Sequence, residues 1–130
     1  MKAKTIAISA ALLIGVSFLN THPVLAQSHK ERLVRLAELE IDPAQLDAYK
    51  MALREEIETS IRVEPGVLTL YAVSVKGHGN QVRLFEMYAN QAAYQAHLQS
   101  DHFKKYKSAT AAMVKSLRLI ETEPLELASK

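Results

Sequence analysis

The fold is decided by residues 64–88, which read "EPGVLTLYAVSVKGHGNQVRLFEMY". Its first three letters end a helix, because proline disfavours a helical backbone at the residue before it and glycine frees the turn that follows. Residues 67–75 and 81–88 are rich in the β-branched and aromatic side chains that strands favour. Between them, "KGHGN" at residues 76–80 supplies the glycines and the asparagine of a hairpin loop. The stretch therefore predicts a helix end followed by a β-hairpin.

The residues before this hairpin predict one strand and one helix. Residues 32–41, "RLVRLAELEI", alternate well enough for a strand. Asp42 is a good helix N-cap, and Pro43 occupies the first helical position, where its missing N–H costs nothing. Apolar side chains then recur at steps of three and four, at Leu46, Tyr49, Leu53, Ile57 and Ile61. The upstream segment is therefore a strand that leads into an amphipathic helix.

The residues after the hairpin predict two short helices and a last strand. Asn90 can cap the first helix, through "QAAYQAHLQ", and Ser100 or Asp101 can cap the second. An apolar stripe at helical spacing runs through the second, at Phe103, Tyr106, Thr110, Met113, Val114 and Leu117. Residues 118–127 read as a strand, with Pro124 placing its end on an exposed edge. The order is β-α-β-β-α-β, the ferredoxin-like α+β arrangement, with its second helical segment broken near Ser100.

Both faces of the predicted strands carry apolar side chains. In a ferredoxin-like fold the two helical segments cover one face of an antiparallel sheet and leave the other face open. An open apolar face of this size is normally covered by a partner. The pattern therefore predicts a homodimer whose two sheets stack face to face.

Residues 1–26 are typical of a secretory signal peptide. Two lysines precede an apolar run over residues 6–19, and small residues lead to a cleavage position after Ala26. The alternative is an uncleaved membrane anchor, but a membrane span normally needs about 20 apolar residues. We therefore expect export to the periplasm or the outside, with residues 27–130 as one domain that has no membrane contact after cleavage.

The composition argues against a disulfide-stabilised domain and against a protein that binds nucleic acid or an anionic membrane. The chain has no cysteine, so an exported domain would depend on its core alone, without a disulfide. It has 16 Lys and Arg against 14 Asp and Glu, and removal of Lys2 and Lys4 with the signal makes the two numbers equal. A neutral mature chain does not indicate a nucleic-acid or anionic-membrane partner.

Three segments of the chain resemble the antibiotic biosynthesis monooxygenase family, and within it the quinol monooxygenase branch. They are "EPGVLTLYAV" (64–73), "FEMYANQAAYQAHLQSDHFKKY" (85–106) and "EPLEL" (123–127). The most specific part is Glu-x-Tyr followed by His-Leu-x-Ser-x-His-Phe. The resemblance implies a dimeric α+β barrel with a pocket between each sheet and its helices. It also implies oxidation of small aromatics, such as quinols or polyketide phenols, by O2 without metal, flavin or haem.

Such chemistry needs a base, because a phenolate or quinolate gives an electron to O2 far more readily than its neutral form does. Histidine is the natural base near neutral pH, and His97 is the candidate. Glu86 is the second candidate, since an acid on an apolar strand face is out of place unless it is paired. It could support a histidine or hold a substrate hydroxyl, or it could form an ion pair with Arg35 or Arg83. The alternative for His97 and His102 is a purely structural role at a helix boundary.

The other candidate residues are mostly aromatic. A pocket for an aromatic substrate would be lined by Tyr71, Phe85, Tyr88, His102, Phe103 and Tyr106, although core packing is the usual role of such side chains. The three on strands, Tyr71, Phe85 and Tyr88, could instead line the dimer face. On one continuous helix, His97 and His102 would stand about 140° apart. That is not the spacing of a helical zinc pair, and no HExxH motif occurs. The spacing therefore predicts no metal site, and the family resemblance implies that no cofactor is used.

Three functions remain open at this point. The first is a cofactor-free monooxygenase, with a small aromatic and O2 as its substrates. The second is an isomerase of a small oxidised metabolite on the same scaffold, since a fold hosts many activities. The third is a dimeric periplasmic protein that binds a hydrophobic small molecule without catalysis.

Overall fold

The computed structural model describes residues 31–130. The predicted signal peptide, residues 1–26, lies outside the described residues. Among the helices of the described part, none is long and apolar enough to cross a membrane.

Four strands and three helices make up the described part of the chain. Their bounds are β1 Leu33–Ile41, α1 Leu46–Val63, β2 Val67–Val75, β3 His78–Tyr88, α2 Gln91–Gln99, α3 Asp101–Thr110 and β4 Val114–Glu121. The strands form one antiparallel sheet in the order β2-β3-β1-β4. This is the ferredoxin-like α+β fold that the sequence predicts, and its sheet is open rather than closed within one chain.

Short polar contacts fix where α1 begins and where the hairpin turns. The Asp42 carboxylate accepts a hydrogen bond from the Ala44 N–H at 3.0 Å, and a single 3-10 turn, Pro43–Gln45, leads into α1. The hairpin loop is shorter than the predicted "KGHGN", because Val75 already pairs with His78 across the turn. Gly77 makes this possible with a φ of 79°, a left-handed conformation that glycine adopts without steric cost.

The predicted helical stripe through Val114 and Leu117 is wrong beyond Thr110. There α3 ends, and the Met113 N–H donates to the Thr110 carbonyl in the turn that follows. The next residues form β4, in which Leu117 pairs with Leu39 of β1. The last strand is therefore Val114–Glu121 rather than residues 118–127, because pairing with a central strand outweighs a helical pattern of apolar residues. Pro124 lies beyond the strand.

The two faces of the sheet differ in what covers them. The core lies between the sheet and the helices, and its buried members are Ala37, Leu39, Ile41, Tyr49, Leu53 and Val82. On the opposite face, Tyr71 and Val73 are 68% and 61% exposed. The rings of Tyr71 and Phe85 stack there, with their centroids 6.5 Å apart. We call this second surface the open face; the dimer expected to cover it stays a prediction.

Candidate functional site

His97 is buried at the C-terminal end of α2. The Asn90 side chain caps this helix by accepting from the Ala93 N–H at 2.9 Å. The His97 side chain is only 3% exposed. Its ring lies between the ring of Tyr88, 5.4 Å away, and that of Phe103, 4.7 Å away, measured between centroids. The fold therefore holds this imidazole in one orientation against aromatic walls.

Glu64 binds His97 from the end of α1. Its Oε1 lies 2.9 Å from His97 Nδ1 and 2.6 Å from His102 Nε2. One carboxylate oxygen is therefore hydrogen-bonded to both imidazole rings. Partial burial would raise the pKa of Glu64, but the hydrogen bonds from the two histidines outweigh it and hold that pKa below its usual value. The sequence predicts no role for Glu64 beyond the helix end, and no local pattern links it to residues more than thirty positions away.

Ser100 breaks the helical segment and so brings the two histidines together. Its hydroxyl donates to the His97 carbonyl at 2.8 Å and accepts from the Phe103 N–H at 3.3 Å, which makes it the N-cap of α3. The break predicted near Ser100 is thus confirmed. Because α2 and α3 are separate helices, the 140° separation of a continuous helix does not apply, and the rings of His97 and His102 stand 6.3 Å apart.

Glu56 is a second carboxylate that the sequence leaves unassigned. It lies on α1, 7% exposed, and its Oε1 accepts from the Ser60 hydroxyl at 2.7 Å while standing 3.6 Å from His97 Nε2. Burial raises the pKa of Glu56 despite the Ser60 hydrogen bond and the nearby histidines. A signal was present, because residue 56 falls at helical spacing between the buried Leu53 and Ser60.

Three side chains here, one carboxylate and two imidazoles, are of the kinds that bind metal ions. Glu56, His97 and His102 each offer one ligand atom, all within 4.8 Å of one another. The spacing of these residues along the sequence does not indicate that they lie close together in the fold. Two of the donor atoms are already engaged, however, since His102 Nε2 is hydrogen-bonded to Glu64 and Glu56 Oε1 accepts from Ser60. The arrangement is that of a hydrogen-bonded cluster rather than of ligands that converge on an open position, and we assign no metal to it.

Glu86 lies on the helix-facing side of β3, as its alternation with Leu84 and Tyr88 predicts. The Tyr88 hydroxyl donates to Glu86 Oε2 at 3.1 Å. Burial is the main reason why the pKa of Glu86 is raised, and it also raises the pKa of Tyr88, which keeps that hydroxyl protonated. Arg35 stands opposite Glu86 in the ladder, but its guanidinium lies over the Tyr94 ring, 4.6 Å from the centroid.

The other arginine proposed for Glu86 is engaged elsewhere. Arg83 Nε lies 3.9 Å from Glu38 Oε1, on the open face. Within residues 31–130, neither Arg35 nor Arg83 comes within ion-pair distance of Glu86. The Glu86 carboxyl is therefore buried and hydrogen-bonded to Tyr88, and it forms no salt bridge with either arginine.

A cavity of about 240 Å³ adjoins this cluster, between the sheet and helices α2 and α3. Of the predicted site residues, its walls include Glu86, Tyr88, His97, Phe103 and Tyr106. Leu117 and Leu119 of β4, which the sequence had not connected to a site, supply apolar wall. The Tyr106 hydroxyl is held by that of Tyr49 at 2.9 Å. The cavity thus combines aromatic and aliphatic walls with the imidazole of His97, the carboxyl of Glu86 and the side chain of Lys107.

Three of the predicted residues lie apart from this cavity. Tyr71 and Phe85 border a smaller space of about 30 Å³, which Glu86, His97, Phe103 and Tyr106 also line. Tyr71 borders in addition a groove of about 590 Å³ between α1 and β2, and its ring stacks on that of Phe85 on the open face. His102 borders a separate groove of about 80 Å³ between α1 and α3. None of the three therefore lines the cavity of about 240 Å³, although Tyr71 and Phe85 share the smaller space with residues of its wall.

The Glu86→Gln variant is expected to be more stable than the wild type at neutral pH, by roughly 1 kcal/mol. At pH values between the usual 4.5 and the raised pKa, the folded chain holds a proton on Glu86 that the unfolded chain has lost. The free energy of unfolding therefore falls as pH rises from the usual value of 4.5 through the raised pKa. Glutamine does not ionise, so it avoids the free-energy cost of a buried negative charge, and its side-chain oxygen can still accept a hydrogen bond from the Tyr88 hydroxyl.

Thermal unfolding between pH 4 and pH 8 measures the effect. The gain in Tm should be largest at pH 8 and should vanish near pH 4. Glu40→Gln, at an exposed carboxylate on β1, is the matched control. A gain that is the same at every pH would contradict the assignment of Glu86 as a buried acid.

Comparisons with known proteins agree with the geometry. The family model described as "Antibiotic biosynthesis monooxygenase" matches residues 32–109. Among solved structures, a protein of that family name from Bacteroides thetaiotaomicron VPI-5482 is 48% identical, with a TM-score of 0.76. The alignment covers 78% of this chain and 97% of that one. No curated protein matches the chain.

More distant structures share the fold. A protein from Lactobacillus acidophilus NCFM that carries a monooxygenase name is 29% identical, with a TM-score of 0.68, over 71% of this chain and 44% of its own. A protein of the same family name from Nitrosomonas europaea is 22% identical, with a TM-score of 0.69, over 76% of this chain and 93% of its own. At that identity the second match shows the fold alone.

Proposed function

The chain belongs to the antibiotic biosynthesis monooxygenase family, and from this premise we propose that it oxidises a small quinol-like aromatic with O2, without metal, flavin or haem. The observation that carries the proposal is the imidazole of His97, which is bound by the Glu64 carboxylate through Nδ1 and lines a cavity with aromatic walls. A base in an enclosed apolar site is what cofactor-free oxygenation requires of the protein.

The size of the cavity favours a small substrate. Its volume of about 240 Å³ lies below the range of about 300–1,000 Å³ that is usual for drug-sized ligands. One or two fused rings fit such a space, whereas a tetracyclic polyketide phenol does not. We therefore propose a mono- or bicyclic quinol rather than a polyketide phenol.

The proposed reaction starts with proton transfer from a substrate hydroxyl to His97 Nε2, the ring nitrogen that is not bound to Glu64. The quinolate then gives one electron to O2, and the resulting superoxide and substrate radical join through a new C–O bond. His97 returns its proton to the peroxide formed. Loss of the ring C–H proton and cleavage of the O–O bond release water and leave a hydroxyquinone, so one O2 is consumed for each quinol. Tyr88 would hold the Glu86 carboxyl in place to accept from a substrate hydroxyl.

An oxygen-electrode assay tests the proposal. Purified protein treated with a chelator is offered a panel of benzoquinols and naphthoquinols, against autoxidation in the same buffer. We expect O2 uptake above autoxidation, with one O2 per substrate. Substrate conversion without O2 uptake would favour the isomerase, and tight binding without conversion would favour the binding protein.

We also propose that the protein works as a homodimer joined at the open face. The exposed Tyr71 and Val73 and the stacked ring of Phe85 support this proposal. Val73→Asp is expected to give a folded monomer, because it would bury a charge in each half of the interface. Light scattering after size exclusion should show half the wild-type mass, with circular dichroism unchanged.

The matched control for the dimer is Met51→Asp, at an apolar side chain of α1 that is 75% exposed. It should keep the wild-type mass. A wild-type protein that is monomeric at micromolar concentration, or a Val73→Asp variant that stays dimeric, would contradict pairing at the open face.

We propose in addition that residues 1–26 direct export and are removed, which would make the mature protein periplasmic or secreted. The pattern of two lysines, an apolar run and small residues supports this proposal. Intact-mass measurement of protein recovered from the periplasm should then correspond to a chain that begins at Gln27. Recovery of full-length chain from the membrane fraction would favour the anchor instead.

A further inference from the structure

We propose that Glu64 is a positioning residue, which with a single carboxylate oxygen fixes the proton positions of His97 and His102. This inference rests on the proposed function only for its kinetic consequence, because the proton arrangement can be measured in the resting protein. It assigns a role to two residues, Glu64 and His102, that lie outside the cavity.

The geometry defines which ring nitrogens carry protons. A carboxylate only accepts hydrogen bonds, so both nitrogens that contact Glu64 Oε1 must be N–H donors. His97 is therefore protonated at Nδ1, at 2.9 Å, and His102 at Nε2, at 2.6 Å. In its neutral form, His97 then has an unprotonated Nε2, and this is the nitrogen that a base needs.

The position of Glu64 explains why the carboxylate is rigid. It is the C-cap of α1, with its backbone N–H donating to the Ser60 carbonyl at 2.9 Å, and its side chain is only 14% exposed. His102 holds the same oxygen from the opposite side, at the first turn of α3. The carboxylate is thus fixed by the backbone of one helix and by a side chain of another.

Other charged and titratable groups surround His97, and all of them enter its pH dependence. They are Glu56 of α1, Glu86 and Tyr88 of β3, and His102 and Tyr106 of α3, with Arg35 of β1 acting on Glu86. Among the described residues, only Glu64 contacts His97 Nδ1 within hydrogen-bond distance. The position of the proton on the His97 ring is therefore controlled by Glu64.

The first experiment is histidine ¹⁵N NMR of the resting protein at pH 8.5, with the two rings assigned from His97→Asn and His102→Gln spectra. We expect His97 to carry its proton at Nδ1 and His102 at Nε2. Glu64→Ala should abolish the preference at His97, whereas Glu64→Gln, which keeps an acceptor oxygen, should retain most of it. A wild-type His97 protonated at Nε2, with or without a proton at Nδ1, would overturn the inference whether or not the protein is an oxygenase.

The second experiment measures O2 uptake as a function of pH. Glu64→Ala is expected to lower kcat by roughly 10-fold or more with little change in KM. Glu64→Gln should move the acid limb of the kcat profile to lower pH, because the negative charge that favours protonation of His97 is gone. His102→Gln should fall between the wild type and Glu64→Ala.

The control for both experiments is Glu55→Ala, on the same helix. Glu55 forms an exposed pair with Lys105 at 2.6 Å, so its removal tests the loss of a carboxylate without the loss of a histidine contact. It should change neither the NMR pattern nor the pH profile. If no variant consumes O2 with any quinol, the proposed function fails while the NMR result still decides the role of Glu64. If Glu64→Ala keeps the wild-type kcat profile in an active enzyme, Glu64 has no positioning role.

Discussion

His97→Asn is expected to lower kcat for quinol oxidation by about 10²- to 10⁴-fold, the usual contribution of a general base. The asparagine amide can still donate toward Glu64, at the place of the imidazole Nδ1–H that lies 2.9 Å from the carboxylate. The variant therefore removes the unprotonated Nε2 while it leaves the buried carboxylate with a partner. O2 uptake at saturating quinol measures the loss, and KM should change much less than kcat.

Two measurements make this result specific to His97. His78→Asn, at the exposed start of β3, is the matched control and should keep full activity. Thermal unfolding of His97→Asn should remain cooperative, which separates a chemical defect from a folding one. If the variant keeps more than half of the wild-type kcat, the base lies elsewhere and the proposed mechanism is wrong.

Gly66→Ala is expected to destabilise the protein by about 1–3 kcal/mol, because the added methyl group has no space. A Cβ at this position would lie 2.5 Å from Ala93 Cβ and 3.4 Å from Ala93 Cα, in the first turn of α2. The helix must shift, and α2 carries His97 at its other end. Loss of activity should therefore accompany a fall in Tm of roughly 4–8 °C for each kcal/mol.

The chain offers both a control and a compensating change for this prediction. Gly79→Ala would bring its Cβ no closer than 3.8 Å to Leu46, an ordinary contact, so its Tm should stay near that of the wild type. Adding Ala93→Gly to Gly66→Ala should restore part of the lost stability, even though glycine inside a helix costs up to about 1 kcal/mol by itself. A Gly66→Ala variant that melts within 2 °C of the wild type would show that α2 accommodates the methyl group.

The architecture was predictable because local signals agree with it. The caps at Asp42, Asn90 and Ser100 and the glycine-rich turn all lie where short-range hydrogen bonding places them. The error at Val114 and Leu117 arose because the apolar residues there fit the spacing of a helix as well as that of a strand. In the folded chain they belong to β4, which pairs with β1. Local patterns cannot resolve such a case, because the deciding contacts come from a strand more than seventy residues earlier.

The candidate site was predictable only in part, for a related reason. His97 and Glu86 were identifiable as polar groups on apolar elements, and both line the cavity of about 240 Å³. Glu64 and Glu56 were not identified, because their relation to His97 exists only after α1 packs beside α2 and α3. For Tyr71 and Phe85 the sequence left two places open, the pocket and the dimer face, and their rings stack on the open face of the sheet.

The turn after α1 has a consequence for attempts to engineer this protein. Turns between elements are the usual place to shorten a chain or to insert stabilising residues. Here the residue that ends the helix also holds two histidines, and the glycine two positions later sets how closely the next helix approaches. A thermostable redesign should therefore leave residues 64–66 unchanged. It should seek its gains at the hairpin turn, which lies at the opposite end of β2.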